Sequence, residues 1–133
     1  MKVMVDNDLP PRLARALHLI FEADNDEVVA LRDKFGRADV KDAEWIEQLG
    51  REGRWAVVSA DRRIAKQRPS RQLFIAAGLV GLFFPPSLQK QPLYRQAARL
   101  IGLWPDLRDQ VRLNANGCFE MPASGSRFRQ IGR

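Results

Sequence analysis

The sequence predicts an α/β protein: a three-layer α/β/α sandwich with a mainly parallel central sheet, plus a C-terminal helical and hairpin extension. Short apolar runs typical of buried strands alternate with amphipathic segments typical of helices. The intervals between these runs are long enough for the helical crossovers that parallel strands require. With 133 residues, 45% of them hydrophobic, the chain has the size of one globular domain.

The N-terminal part of the chain predicts two strands separated by a helix. Residues 2–5 form a short apolar run that ends at Asp6 and fits a buried strand. Two prolines suited to a first helical turn follow, and apolar residues then recur at helical spacing up to Phe21. Asp8 precedes this helix and is a candidate N-cap. Residues 27–31 are the second predicted strand.

The central part predicts a loop, a helix and the clearest strand of the chain. We expect a loop over residues 32–38 and a helix over residues 40–51 that is capped by Asp39. Residues 55–59 read WAVVS and predict a buried strand, with an aspartate just past its end. The chain therefore repeats one arrangement, in which a carboxylate closes a buried strand.

The C-terminal part predicts further helices and strands. They are a helix over residues 69–77, a strand over residues 79–84, a helix over residues 94–103 interrupted at Trp104 and Pro105, and a second helical piece over residues 107–113. The segments CFEM and RFRQI predict a terminal hairpin or, alternatively, a flexible basic tail. We expect residues 1–90 to form the α/β core and residues 91–133 to form an extension packed on the same domain.

Composition excludes several classes of protein. No run approaches the ~20 apolar residues of a membrane span, and Asp6 interrupts the N-terminal segment before a signal-peptide core forms. Cys118 is the one cysteine and His18 the one histidine. An intramolecular disulfide, a cysteine-based zinc site and a histidine-rich metal site are therefore excluded. We expect a cytoplasmic protein with no membrane partner.

The charge of the chain is unevenly distributed. The net charge is +6, but residues 1–50 carry −4 and residues 51–133 carry +10. A basic half of this size is either an ordinary solvated surface or an electrostatic footprint for phosphates or for an acidic protein segment. The charge alone leaves both interpretations open.

The two carboxylates that close strands, Asp6 and Asp61, are the main candidates for a functional site. In a sheet of this type ligands bind beyond the carboxyl ends of the strands, so both are expected to face one crevice. Converging carboxylates suit Mg²⁺ and Mn²⁺. Asp42 or Glu44 in the first turn of the intervening helix, and Asp8, could join them. These three also have a structural interpretation, because acidic side chains stabilise helix N-termini.

Four segments carry a family resemblance through their order and spacing: VMVDNDLPPRLARAL, VVALRDKF, DAEWIEQL and WAVVSADRRI. Together they resemble the PIN-like domains, in particular the VapC-type toxin-like group with its N-terminal D-[NE]-x-L-P motif. The similarity covers roughly residues 1–86. It implies an α/β/α sandwich, an endoribonuclease dependent on Mg²⁺ or Mn²⁺ and, in toxin–antitoxin pairs, a small antitoxin protein that occupies the active-site groove.

The resemblance also implies roles for individual acids. The family's acidic, catalytic metal ligands map to Asp6, Asp42 and Asp61. Related sequences often carry a further acid two residues past the last of these, where this chain has Arg63. Asp8 or Glu44 would then complete the ligand set. Cations held by these acids would activate a water molecule for in-line attack on an RNA phosphate.

RNA is the expected substrate, and the basic residues near the candidate site are the expected path of its backbone. They are Arg12, Arg62, Arg63, Lys66, Arg68 and Arg71. The alternative is a non-catalytic PIN-like module that binds RNA or an acidic partner protein, with Arg63 where a metal would otherwise be shared. A receiver-like phosphoacceptor domain fits less well, because Lys66 and Lys90 are poorly placed for it. A homodimer is compatible with either interpretation.

Overall fold

The structure, a computed structural model, describes residues 1–132 and contains one mainly parallel sheet. Its strands are β1 (Lys2–Val5), β2 (Glu27–Ala30), β3 (Trp55–Ser59), β4 (Val80–Phe83), β5 (Gly117–Glu120) and β6 (Arg129–Gln130). They are ordered β2-β1-β3-β4-β5-β6, and only β6 is antiparallel to its neighbour. Arg133, the last residue of the predicted extension, lies outside the described residues.

Helices cover both faces of this sheet. They are α1 (Pro11–Phe21), α2 (Leu31–Phe35), α3 (Asp42–Glu52), α4 (Arg63–Lys66), α5 (Arg68–Ala76), α6 (Pro86–Gln89) and α7 (Leu93–Leu113). Successive residues of β1 point to opposite faces, so Val3 packs in one core with Leu17 of α1 and Trp104 of α7. Met4 packs in a second core with Trp45 of α3 and the buried face of α5. The predicted three-layer α/β/α sandwich is confirmed.

Two expectations about the segment between β2 and β3 are wrong. The predicted loop contains α2, which begins at the buried Leu31 and ends at Gly36 with a φ of +74°. Apolar burial of its first residue and a glycine suited to a left-handed C-cap explain the short helix. The next helix is not capped by Asp39, because its N-cap is Lys41 and no side chain caps it.

The C-terminal helix is continuous where the sequence predicts an interruption. Pro105 lies inside α7, and the helix extends through it to Leu113. Trp104 and Leu107 on either side of the proline are fully buried against the sheet. Pro105 itself and Ile101, whose carbonyl loses its helical partner, lie on the exposed side, where water can bind that carbonyl. Burial of the apolar face therefore outweighs the missing hydrogen bond.

The hairpin predicted from CFEM and RFRQI is present, and its first strand also extends the parallel sheet. Cys118 lies opposite Gly81 of β4, and Phe119 lies opposite Gln130 of β6. The alternative of a flexible tail is wrong for these strands. The sequence pattern does not predict α4 or α6, because four residues are too few to show a helical period. In residues 1–132 no helix has the length and apolar character to cross a membrane.

His18 binds the edge strand of the sheet. Its Nδ1 accepts a hydrogen bond from the backbone N–H of Val28 in the edge strand β2 at 3.1 Å. Its Nε2 lies 3.3 Å from a carboxylate oxygen of Glu22, one helical turn away. The imidazole is half-buried at the boundary of α1 and β2.

Asp26 connects the start of the sheet to α7. It is 4% exposed, and its Oδ2 accepts hydrogen bonds from Trp104 Nε1 at 2.9 Å and from Arg108 at 2.5 Å. The α-amino group of Met1 lies 3.1 Å from its other oxygen. Burial acts to raise the pKa of Asp26, but the hydrogen bonds from Arg108 and Trp104 outweigh it and hold the pKa below its usual value.

Replacing Asp26 with alanine is expected to destabilise the protein by about 2–3 kcal/mol, because buried donors lose their acceptor. In the wild type this contribution is present above the unfolded pKa of about 3.9 and is lost as pH falls through the lower folded pKa. Urea unfolding from pH 7 down to pH 3 measures both effects. Asp109→Ala, which breaks the exposed pair with Arg112, is the control and should change stability by less than about 1 kcal/mol. Equal effects of the two substitutions would contradict the assignment.

Candidate acidic site at the carboxyl edge of the sheet

The candidate site lies where the strand order reverses. β1 is followed along the chain by β2 on one side and is paired with β3 on the other, so the loops after β1 and β3 lead away in opposite directions. In open α/β sheets this crevice is the usual ligand site. Val5 at the end of β1 lies opposite Val58 of β3, so Asp6 and Ser59 are neighbours at the carboxyl edge. The register of two buried strands thus positions the first polar groups of the site.

The hydroxyl of Ser59 holds three aspartates together. Ser59 Oγ lies 3.0 Å from Asp6 Oδ2 and 3.4 Å from Asp8 Oδ1. The same oxygen accepts a hydrogen bond from the backbone N–H of Asp61 at 3.0 Å. Ser59 is fully buried, so this contact is fixed by the core rather than by solvent. The structure therefore brings Asp6, Asp8 and Asp61 around one serine.

Asp6 is a buried carboxylate with neutral donors. It is 7% exposed and accepts hydrogen bonds from the N–H of Asn7 at 2.7 Å and from Ser59. Burial raises its pKa most, the two hydrogen bonds oppose that rise, and the nearby charges of Asp42 and Asp61 add to it. Within residues 1–132 no basic side chain forms an ion pair with Asp6. A cation beside Asp6 would therefore relieve a real electrostatic cost.

Asp8 is part of the acidic site and is not the N-cap of α1. The N-cap of that helix is Pro10, and no side chain caps it. Asp8 Oδ2 instead accepts the backbone N–H of Ala60, after β3, at 2.9 Å. Desolvation of its carboxyl group, together with the charge of Asp6, raises the pKa of Asp8 to about 6, although the residue as a whole is exposed. Two carboxylates with raised pKa values thus lie side by side.

Asp61 is engaged by an arginine from its own turn. Its Oδ1 accepts the N–H of Arg63 at 3.0 Å and Arg63 Nε at 2.9 Å, and its Oδ2 accepts Arg63 Nη2 at 2.7 Å. The hydrogen bonds from Arg63 lower the pKa of Asp61. The same guanidinium lies in the field of Asp42 and Asp8, which help to raise the pKa of Arg63. Its side chain is 79% exposed, so this pair forms at the mouth of the site.

The two acids of α3 differ in their relation to the site. Asp42 begins the helix, accepts Trp45 Nε1 at 3.1 Å, and is near enough to raise the pKa of Asp6. Glu44 is exposed and is bound by Arg37 in the loop before the helix. The structure thus places Asp42 near the cluster and Glu44 on a surface ion pair.

A groove of about 650 Å³ begins at the acids and continues along basic side chains. It is lined by Asp8 and Asp61 and by Arg62, Arg63 and Lys66. Its acidic and basic side chains are neighbours. A site that binds a phosphate beside a metal cation requires this arrangement.

The remaining basic residues predicted to contact RNA occupy different environments. Arg12 and Arg68 are exposed on α1 and α5 but do not line this groove. Arg71 is half-buried and donates to the backbone carbonyl of Ala65 at 3.1 Å. Arg62, although at the groove, is tied to Glu120 of β5 at 2.5 Å. Lys66, at the end of α4, is exposed and lines the groove, as Arg63 does.

The residues at the site match a hard divalent cation in donor type but not in arrangement. Carboxylate oxygens are the ligands that Mg²⁺ and Mn²⁺ prefer, and neither Asp6 nor Asp8 forms an ion pair with a basic side chain within residues 1–132. Nevertheless, no group of three or more His, Cys, Asp or Glu side chains within residues 1–132 is arranged to hold a metal ion. Arg63 binds both oxygens of Asp61, so Asp61 could hold a metal only if this guanidinium moved away.

Comparison with known families identifies the chain. The family described as PIN like domain matches residues 1–86 of the 133. The protein belongs to the PIN-like domain family. Comparison with curated proteins and with solved structures finds no match. The PIN-like region spans β1 to β4 and contains Asp6, Asp8, Asp42 and Asp61, while α7 and the terminal hairpin lie beyond it.

Family membership supports a coarse function. PIN-like domains are commonly nucleases, which supports a hydrolase, and PIN domains generally use divalent metal ions. The acidic cluster of this PIN-like domain lies at the edge of the sheet where ligands of such folds bind. The fold, the family and the position of the acids are therefore consistent with one another.

Several residues of the site were missed by reasoning from the sequence. Ser59 joins the aspartates, Asn7 donates to the carbonyl of Ala38 and so ties the loop before α3 to the end of β1, and Glu120 binds Arg62 and Arg129. Ser59 could have been found as the polar residue that ends an otherwise apolar strand. Glu120 could not, because its role depends on β5 pairing with β4.

Asp8→Asn is expected to stabilise the protein at pH 7 without metal. A folded pKa of about 6 against an unfolded pKa of about 3.9 means that the native state loses stability as pH rises from about 4 to about 6. Asparagine keeps an acceptor for the N–H of Ala60 but carries no charge, so the cost of ionising Asp8 in the native state disappears. Because solvent screens the site, we expect the resulting gain in stability to be about 1 kcal/mol. Urea unfolding in a chelator at pH 4 and pH 7 should show a gain at pH 7 alone. The exposed control Asp109→Asn should show no such pH-dependent gain, and a loss of stability for Asp8→Asn at pH 7 would refute the argument.

Proposed function

We propose that this PIN-like protein is an endoribonuclease that hydrolyses RNA phosphodiester bonds with the help of Mg²⁺ or Mn²⁺. The observation that carries the proposal is the pair of carboxylates, Asp6 and Asp8, which share the Ser59 hydroxyl and have no cationic partner within residues 1–132. Asp8 of this pair lines a groove with basic walls. Carboxylates that could bind a metal thus lie next to basic side chains that could bind a phosphate.

Asp6, Asp8 and Asp61 would hold the metal, with Asp42 close by. When bound, Mg²⁺ or Mn²⁺ supplies polarisation of the scissile phosphate and activation of a water molecule. Ser59 orients Asp6 through its hydroxyl, and the N–H of Ala60 orients Asp8. The chain does not require histidine as a general base, and its one histidine is bound to Val28 of β2. Protein carboxylates therefore carry the proposed chemistry.

Arg63 would exchange partners during this reaction. Its guanidinium compensates Asp61 in the metal-free protein and is 79% exposed, so water and ions reach the pair. If Asp61 held a cation, the Arg63 guanidinium would be free to bind a phosphate oxygen of the substrate. Arg63 would thus have two alternative partners, Asp61 and the substrate phosphate.

The basic groove suits an RNA backbone and also an acidic protein segment. Lys66 is exposed at its wall, and Arg62 is held there by Glu120. We further propose that this protein is the toxin of a toxin–antitoxin pair, and that a small antitoxin protein covers this groove. The support is the VapC-like motif DNDLP at residues 6–10 and the cationic lining of the groove.

A second candidate function is a non-catalytic module that binds RNA or an acidic partner. It is favoured by one observation, the bidentate Arg63–Asp61 pair in place of a third acidic ligand. In that case the guanidinium permanently replaces the metal. The two functions differ in whether a divalent cation can displace Arg63.

Asp6→Asn and Asp61→Asn should each reduce cleavage of a structured RNA by about 100-fold or more, because each removes a charged metal ligand. Gel-resolved cleavage in Mn²⁺ measures this, with circular dichroism to verify folding. Asp39→Asn, an exposed acid of the loop before α3, is the matched control and should retain activity. Wild-type activity in both site variants would exclude the carboxylates from catalysis, and an inactive wild type that still binds the RNA would support the non-catalytic module.

Arg63→Ala should raise the affinity for Mn²⁺ by about tenfold, because the competing cation on Asp61 is removed. Titration calorimetry with Mn²⁺ alone gives this result without any substrate. Arg63→Asp should raise the affinity further by adding a ligand. Arg51→Ala removes an exposed arginine near the C-terminal end of α3 and should leave the affinity unchanged. Unchanged affinity in both Arg63 variants would mean that Arg63 does not compete with the metal.

A further inference from the structure

A second cavity lies at the amino ends of the strands, at the opposite end of the sheet from the acidic site. It has a volume of about 430 Å³ and is formed where β1, β3 and β4 begin. Met1, Trp55 and Val80 contribute from the sheet side, and Val111 contributes from the last turns of α7. This volume lies within the range of small-molecule sites. Nothing in the proposed nuclease chemistry uses this edge.

Three arginines line this amino-edge cavity: Arg54, Arg108 and Arg112. Among the described residues that line it, none carries a carboxylate. Asp26 and Asp109 partly offset two of the charges, since Arg108 pairs with the first at 2.5 Å and Arg112 with the second at 3.2 Å. The side chain of Arg54 takes part in none of the side-chain hydrogen bonds or ion pairs found within residues 1–132. The cavity is therefore cationic, with one guanidinium available for a ligand.

The backbone at Arg54 is strained. Its φ is +62°, a left-handed conformation that favours glycine because a Cβ is crowded there. The preceding Gly53 also has a positive φ, of +81°, so the turn before β3 places an arginine where a second glycine would be relaxed. Strained residues of this kind cluster at binding sites. Retaining an arginine here fits a role for its side chain at the cavity.

The rest of the wall is apolar, with one amide. Val80 and Val111 present aliphatic surface. Trp55 also borders the cavity, but it is 3% exposed and its ring lies beneath Lys2 and Lys34, so the wall is mainly aliphatic. Asn114 donates its Nδ2 to the carbonyl of Gln110 at 2.8 Å, which leaves its Oδ1 as an acceptor outside that bond. Guanidinium groups suit a phosphate dianion, an aliphatic wall suits the face of a planar ring, and an amide oxygen accepts from a ring amine.

We propose that the amino-edge cavity binds a nucleoside monophosphate. Its phosphate would be bound by Arg54, with Arg108 and Arg112 beside it, and its base would pack on the apolar wall near Val80 and Val111. The cavity and the acidic cluster lie at opposite ends of the strands, so this site is separate from the RNA groove. The inference does not depend on nuclease activity.

Titration calorimetry of AMP into the full chain, in a chelator and without divalent cations, tests this inference. The wild type should bind saturably at one site, and Arg54→Gly should weaken binding by at least about tenfold. The same substitution should leave the melting temperature equal or higher, because glycine relaxes the positive φ. Arg95→Ala, which removes an exposed arginine at the start of α7, is the matched control and should change the affinity by less than about twofold.

Three outcomes would overturn the proposal. Absence of saturable AMP binding at millimolar concentration would exclude the site. An equal loss of affinity in Arg54→Gly and Arg95→Ala would show non-specific attraction to a basic protein. Inorganic phosphate that binds as tightly as AMP would show that the apolar wall contributes nothing and that the ligand is not a nucleotide.

Discussion

The parallel pairing of β1 with β3 places Asp6 beside Ser59, and the acidic site is built on that register. Both strands are buried on two faces, so a one-residue shift of β1 along β3 would move each side chain of β1 from one core to the other. Such a shift would also move Asp6 away from its position beside Ser59. Apolar packing thus fixes the position of a polar group that is itself costly to bury. The PIN-like site is therefore held in place by two buried strands.

The charges at this edge compensate each other only in part. Asp61 has a guanidinium on both oxygens, while Asp6 and Asp8 rely on hydroxyl and backbone donors. An exposed ion pair such as Asp61 with Arg63 contributes little to stability, because water screens it. At the mouth of the acidic cluster, cations can therefore compete for the exposed Asp61–Arg63 pair. At its base the contacts are fixed, because Ser59 is fully buried.

The strands and the acids that follow them could be predicted from the sequence, because short apolar runs closed by Asp6 and Asp61 depend on local pattern alone. The continuity of α7 through Pro105 could not, since it depends on burial of Trp104 against the sheet. The same holds for Asp8, whose partner Ala60 is 52 residues away along the chain. Tertiary contacts overrode local capping and helix-breaking preferences at these places.

The two edges of the sheet have consequences for solubility. An exposed strand edge offers unpaired N–H and C=O groups to other chains and can start aggregation. At one edge, the imidazole of His18 already binds the amide of Val28 in β2. At the other, β6 is only two residues long, antiparallel, and carries Arg129 bound to Glu120. At each side, part of the strand edge that another chain could pair with is therefore already bonded or very short, and at β2 it is His18 that binds the outward-facing amide.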